Sequence, residues 1–194
     1  MSQETSSTVV FPSYYSRTWG KEMLDRVQIW EAARATSAAT SFFEPMEIDG
    51  RLFADGATGA NNPIYELWAE ASSVYSLYDG WKLEDHLKCL VSIGTGLPSR
   101  RPFGPGLMDV AAALKAIATE SESKAQQFQR QHLSLVQNSI SFRFNVVDGL
   151  QGVGLEAADR LAEIDATTDQ YCASVPVMQQ IESCASKLRE KPSS

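Results

Sequence analysis

The sequence predicts an α/β fold, a sheet with flanking helices, and three observations carry that prediction. Leu87, Cys89, Leu90, Val91 and Ile93 make a nearly unbroken apolar run closed by Gly94-Thr95-Gly96, the pattern of a parallel strand covered on both faces. Helix-period stripes stand on either side of that run, so strands and helices alternate along the chain. Met46, Ile48, Leu52 and Ala54 flank Asp49-Gly50, a pair that readily takes the positive φ of a type I′ hairpin turn. The chain has 194 residues, 43% hydrophobic and 21% charged, enough for one domain with a real core.

Taken in order, residues 1–8 are polar and Ser/Thr-rich and read as a disordered tail. Val9 to Phe11 is short, apolar and β-branched, running into Pro12-Ser13-Tyr14-Tyr15, which predicts a strand and then a turn. Over 24–40, Val27, Trp30, Ala33, Arg34 and Ser37 recur at helical spacing on an alanine-rich face. After the hairpin, Pro63 at a first-turn position and the stripe Ile64, Leu67, Trp68, Ala71 predict a helix reaching about Tyr78. The strand over 87–93 follows, then a loop over 98–106 by its prolines and glycines. Leu107, Val110, Ala111, Leu114, Ile117 and Ala118 mark a helix, with Glu120 and Lys124 spaced for an ion pair. Ile140, Phe142, Phe144 and Val146 alternate with polar residues as in a half-exposed edge strand. Two helices close the chain, striped by Leu161, Ile164, Thr168, Tyr171 and then by Val177, Ile181, Cys184, Leu188. Residues 9–188 form one folded portion, and 189–194 a second disordered tail.

Charge and composition exclude several functions. Seventeen basic against 24 acidic residues give −7, the wrong sign for sequence-independent phosphate binding, so nucleic acid is not an expected partner. The most apolar stretch, 107–118, contains Asp109 and Lys115 and does not read as a membrane span. Residues 1–8 lack the basic and apolar regions of a secretory signal. Cys89, Cys172 and Cys184 form no CxxC pair, and three cysteines suit a reduced, cytoplasmic interior. All three fall on apolar runs and read as core residues. His86 and His132 lie 46 positions apart without metal-ligand spacings, so no metal or cofactor is expected. Gly94-Thr95-Gly96 lacks the third glycine of a dinucleotide loop and reads as a plain strand exit.

One segment stands apart. In Phe53-Ala54-Asp55-Gly56-Ala57-Thr58-Gly59-Ala60-Asn61-Asn62-Pro63 a carboxylate ends a strand and enters a loop of small residues before a helix. Carboxylates so placed face the cleft above a sheet; Gly56 and Gly59 allow backbone conformations closed to other residues, and Ala57 and Ala60 leave room for close approach. The same spelling also suits an Asx turn joining strand to helix, with no catalytic role. Asn62 is a candidate helix cap.

Asp55-Gly56-Ala57 with Asn61-Asn62-Pro63, preceded by the run from Trp30 to Ala39 and by Phe42-Phe43-Glu44-Pro45, resembles the second half of a patatin-like phospholipase domain. The likeness continues through Cys89-Leu90-Val91-Ser92-Ile93-Gly94-Thr95-Gly96. Ala118-Thr119-Glu120 and Phe142-Arg143-Phe144-Asn145 resemble the fungal branch in particular.

The resemblance implies a lipid acyl hydrolase in which a serine in a GxSxG elbow attacks a lipid ester and Asp55 is its dyad partner, with Gly56 and Ala57 as motif backbone. An aspartate is a weak base at neutral pH, so desolvation would have to raise its pKa for it to help remove a serine proton. No GxSxG occurs in the sequence, nor a glycine-rich run before Asp55. The resemblance thus implies the C-terminal part of the domain, a fragment or truncated product whose partial sheet lacks the N-terminal half. Loss of the nucleophile costs a serine hydrolase on the order of 10⁶ in rate, so the chain is expected to be inactive alone. Phospholipid or another lipid ester is the implied substrate, with peripheral membrane contact and self-association through exposed sheet edges as accompanying expectations. A non-catalytic interaction or scaffold protein derived from such a domain is the alternative.

Overall fold

The computed structural model describes residues 1–3, 5–15, 22–39, 42–75, 80–97, 108–150, 153–154 and 157–190. The chain divides into two compact units, Met1–Leu83 and Glu84–Ser194. Helices and small sheets of two strands each build a partial α/β fold.

In the first unit the Asp49-Gly50 turn forms as its chemistry predicts. Both residues take positive φ, 51° and 73°, and β1 (Met46–Ile48) pairs antiparallel with β2 (Arg51–Phe53) in the register Met46↔Phe53 to Ile48↔Arg51. Arg26 pairs with Asp49 on the exposed side of the turn. Ile48 and Phe53 point inward onto Ala35, with Val9, Phe11, Met23, Val27 and Met46 packed around them. Phe53 is fully buried and meets the Phe11 ring edge-on at a centroid distance of 5.2 Å.

The predicted helix over 24–40 is two helices, α1 (Glu22–Arg26) and α2 (Ile29–Thr36). The break has a local cause: the Gln28 N–H donates to Glu31 Oε2 at 2.8 Å, which starts a fresh helix N-terminus. Thr40 lies outside the described residues. The expected stripe also shifts, because Ala35 and Ala38 are buried while Trp30 is exposed. Only residues as small as alanine admit the hairpin so close to this helix.

Val9 to Phe11 is not a strand; its side chains reach the core while its backbone joins no ladder. Within the expected loose tail, Ser2 and Gln3 are held in place. Ser2 is fully buried and bridges Phe53, and the Gln3 N–H donates to the Leu52 carbonyl at 3.0 Å. The unpaired outer edge of β2 takes up these backbone groups. After β2 come α3 (Ala57–Ala60) and α4 (Ile64–Tyr75), residues 76–78 of the longer predicted helix lying outside the described residues. Ile64 is buried, but Leu67 on the predicted stripe is exposed.

The second unit begins around α5 (Leu83–His86) and β3 (Leu90–Ile93), so the predicted strand starts three residues late. From β3 the chain crosses through α6 (Met108–Gln131) and α7 (Leu133–Gln137) to β4 (Ser141–Phe144). β4 pairs parallel to β3, Leu90↔Ser141 to Ile93↔Phe144, as a crossover connection requires. β3 is not covered on both faces: Val91 and Ile93, on one face, are exposed, Ile93 at 78%, and among the described residues its one strand neighbour is β4. The Glu120–Lys124 ion pair forms at 3.1 Å. The loop over 98–106 and Leu107 lie outside the described residues.

A short 3₁₀ turn, Ala158–Arg160, leads into α8 (Leu161–Cys172), and α9 (Val175–Arg189) follows. α9 runs into the predicted C-terminal tail, of which 191–194 are outside the described residues. Of the closing stripes Cys184 is buried, whereas Leu161, Ile181 and Leu188 are exposed. Cys89 and Cys172 are half-buried rather than core.

Candidate active site

Asp55 stands two residues beyond β2, and its backbone is held from both sides. Its N–H donates to the Ala38 carbonyl at the exit of α2 at 3.0 Å. The preceding residue, buried Ala54, is clasped by Met1: the Ala54 N–H donates to the Met1 carbonyl at 2.9 Å, and the Met1 amino group donates to the Ala54 carbonyl at 2.6 Å. Burial pushes that amino group below its ordinary pKa, while the negative charge of Asp55 pulls it partly back up.

The Asp55 side chain is half-buried. Its Oδ1 accepts the Ala57 N–H at 2.8 Å, which closes an Asx turn and starts α3. Gly56 takes ordinary helical angles, φ −67° and ψ −11°, so its conformation is not what calls for glycine. A β-carbon there would meet nothing within 4 Å, so the space beside Gly56 is open. At Gly59 a β-carbon would stand 3.3 Å from Thr8 Oγ1; that room serves packing. The Pro63 carbonyl accepts the Leu67 N–H at 2.9 Å, which makes Pro63 the residue in the cap position and leaves buried Asn62 one place outside it.

The structure thus brings Asp55, Gly56 and Ala57 together as a fixed turn. Among the described residues Asp55 is in no ion pair with an arginine, and one hydrogen bond on Oδ1 leaves its carboxylate with acceptor capacity. Among those residues no group of three or more His, Cys, Asp or Glu gathers as a metal site, and no helix is long and apolar enough to cross a membrane.

A second polar arrangement, in the other unit, was not singled out from the sequence. Arg143 on β4 donates from Nη1 to Ser92 Oγ at 3.0 Å and from Nη2 to Glu122 Oε2 at 3.3 Å. Asn145 Nδ2 donates to the same Glu122 oxygen at 3.0 Å. Asn145 Oδ1 accepts the Gly96 N–H at 2.8 Å, and the Asn145 N–H donates to the Tyr171 hydroxyl at 3.1 Å. Gly94-Thr95-Gly96 and Phe142-Arg143-Phe144-Asn145 are therefore two halves of one clasp at the strand ends. The signal available beforehand was the pairing of a glycine-flanked exit with polar residues just after a second strand.

Residues 9–68, which include Asp55 and the whole hairpin, match the family model described as patatin-like phospholipase. Among curated proteins, "Phospholipase A I" of Arabidopsis thaliana is 30% identical over 153 residues, 77% of this chain and 11% of that protein. The chain carries part of a patatin-like phospholipase domain. It spans 11% of the length of the relative it matches. No solved structure matches it.

Proposed function

We propose that Asp55 is the acid member of a serine–aspartate dyad in a patatin-like lipid acyl hydrolase, that the nucleophilic serine comes from outside these residues, and that the chain alone is inactive. One observation supports this most: Asp55 lies inside the matched residues 9–68, with its carboxylate fixed by Ala57 and open space beside Gly56. A carboxylate so held can accept the proton of a serine hydroxyl at its second oxygen, while backbone anchoring keeps it from relaxing away. Gly56 and Ala57 provide backbone, and Asn61, Asn62 and Pro63 shape the approach to α4. The substrate class is a phospholipid or other lipid ester, reached by peripheral contact with a lipid surface. The fungal affinity rests on the motifs at 118–120 and 142–145 alone.

A second reading, a non-catalytic scaffold, is favoured by the Asx turn, because a carboxylate whose Oδ1 closes a turn already has a structural task. Purified chain offered a short-chain ester and a fluorophosphonate probe distinguishes the outcomes. No turnover and no labelling are expected; serine labelling with turnover that Asp55→Asn abolishes would overturn inactivity of the isolated chain. Added protein bearing a GxSxG segment restores Asp55-dependent hydrolysis only under the first reading.

A further inference from the structure

Two of the cysteines meet within the second unit. Cys184 sits on the buried side of α9 at 6% exposed, and half-buried Cys89 precedes β3. Their sulfurs are 3.9 Å apart, with both thiols free. Closing that gap to a disulfide length of about 2.05 Å needs each sulfur to move by roughly 1 Å, within reach of side-chain rotation. A second contact holds the same two segments together, since Lys88 Nζ donates to the Glu190 carbonyl at 3.3 Å.

We propose that Cys89 and Cys184 are a redox-responsive dithiol that a hydroperoxide closes to an intrachain disulfide, locking α9 to the chain entering β3. The inference does not depend on the role of Asp55. Cys89, the more exposed, meets the oxidant. Its thiolate attacks one peroxide oxygen; a sulfur–oxygen bond forms, the oxygen–oxygen bond breaks, and the leaving oxygen takes up the proton the thiol released. Cys184 then attacks the sulfenic sulfur, the sulfur–sulfur bond forms, and the hydroxyl departs with the Cys184 proton as water. Each sulfur gives up one electron and the peroxide takes two, so two thiols and one hydrogen peroxide become a disulfide and two waters.

Burial, and then the Cys184 thiol, push Cys89 up to about 11, with Lys187 on α9 opposing them. Thiolate is therefore scarce at neutral pH and closure answers sustained rather than brief exposure.

The test treats the full chain with hydrogen peroxide, alkylates what remains, and maps the peptides. The expected result is one peptide pair joining Cys89 to Cys184, a fall from three free thiols to one, reversal by dithiothreitol, and a rise in Tm on the order of 10 °C. Cys172→Ser still closes, and Cys89→Ser and Cys184→Ser do not. If those last variants fail to fold, the wild-type peptide map decides. Cys89 oxidised to sulfinic acid with Cys184 still alkylated, a cross-link to Cys172, or a cross-link between two chains would each overturn the proposal.

Discussion

Asn145 Oδ1 accepts the Gly96 N–H at 2.8 Å, and it does so across the face of Gly94. A β-carbon on Gly94 would collide with the Asn145 amide and stand 2.6 Å from Arg143 Nη2. The Gly-Thr-Gly exit is thus shaped by two different demands, close approach at Gly94 and a φ of 98° at Gly96.

Gly94→Ala should cost about 1–3 kcal/mol, the range for forcing volume into a packed site. Chemical denaturation of the variant measures it. In an Asn145→Ala background the penalty should shrink, because the chief obstacle is gone; equal penalties in both backgrounds would show that the two residues do not interact.

The Arg143–Glu122 pair is largely buried, with side chains 11% and 24% exposed. Removing one partner strands the other's charge. Glu122→Gln or Arg143→Met should each destabilise by on the order of 2 kcal/mol, between the surface and fully buried cases. The double variant should lose less than the sum of the two, and strict additivity would contradict the coupling.

How much of this was legible in the sequence depends on the range of the interaction. The hairpin was legible because Asp49-Gly50 fixes its turn within two residues, and the α8 and α9 spans because their apolar spacing is local. The division of 24–40 turned on one Gln28–Glu31 bond that periodicity does not see. Val9 to Phe11 has strand composition, yet the edge of β2 is taken by Ser2 and Gln3, a choice no local pattern encodes. At the candidate site the glycines predict backbone conformations closed to other residues, yet Gly56 takes helical angles and Gly59 no positive φ. What calls for glycine at Gly59 is Thr8, fifty-one positions away in the chain, whose Oγ1 would stand 3.3 Å from an added β-carbon. The clasp of Ser92, Glu122, Arg143 and Asn145 joins three separate segments and was visible only as two unrelated motifs.

Alkylation of Cys89 should follow a displaced pH profile. Its thiol is raised from 9.0 to about 11 by burial, with Cys184 adding to the shift and Lys187 countering it. The folded chain therefore holds this proton where an unfolded chain releases it, so stability contributed here is intact below about pH 9 and is lost as pH rises toward 11. Peptide-resolved iodoacetamide labelling should climb roughly tenfold per pH unit and level near 11. A plateau near 9 would contradict the burial argument.

Val91 and Ile93 share a face of β3 and are exposed at 38% and 78%. Apolar β-branched residues on an unprotected strand invite pairing with another chain. Sedimentation of the purified chain should show association that grows with concentration and weakens in Ile93→Lys. A monomer at all concentrations would remove this expectation.

The most direct test of the central claim replaces the matched segment of the Arabidopsis phospholipase A I with this chain and follows ester hydrolysis. Asn can still accept the Ala57 N–H, so Asp55→Asn keeps the turn and removes only the carboxylate. A fall in kcat on the order of 10³-fold or more in Asp55→Asn, with Asp49→Asn unaffected, is the expected result. Hydrolysis that persists unchanged in Asp55→Asn would contradict the dyad.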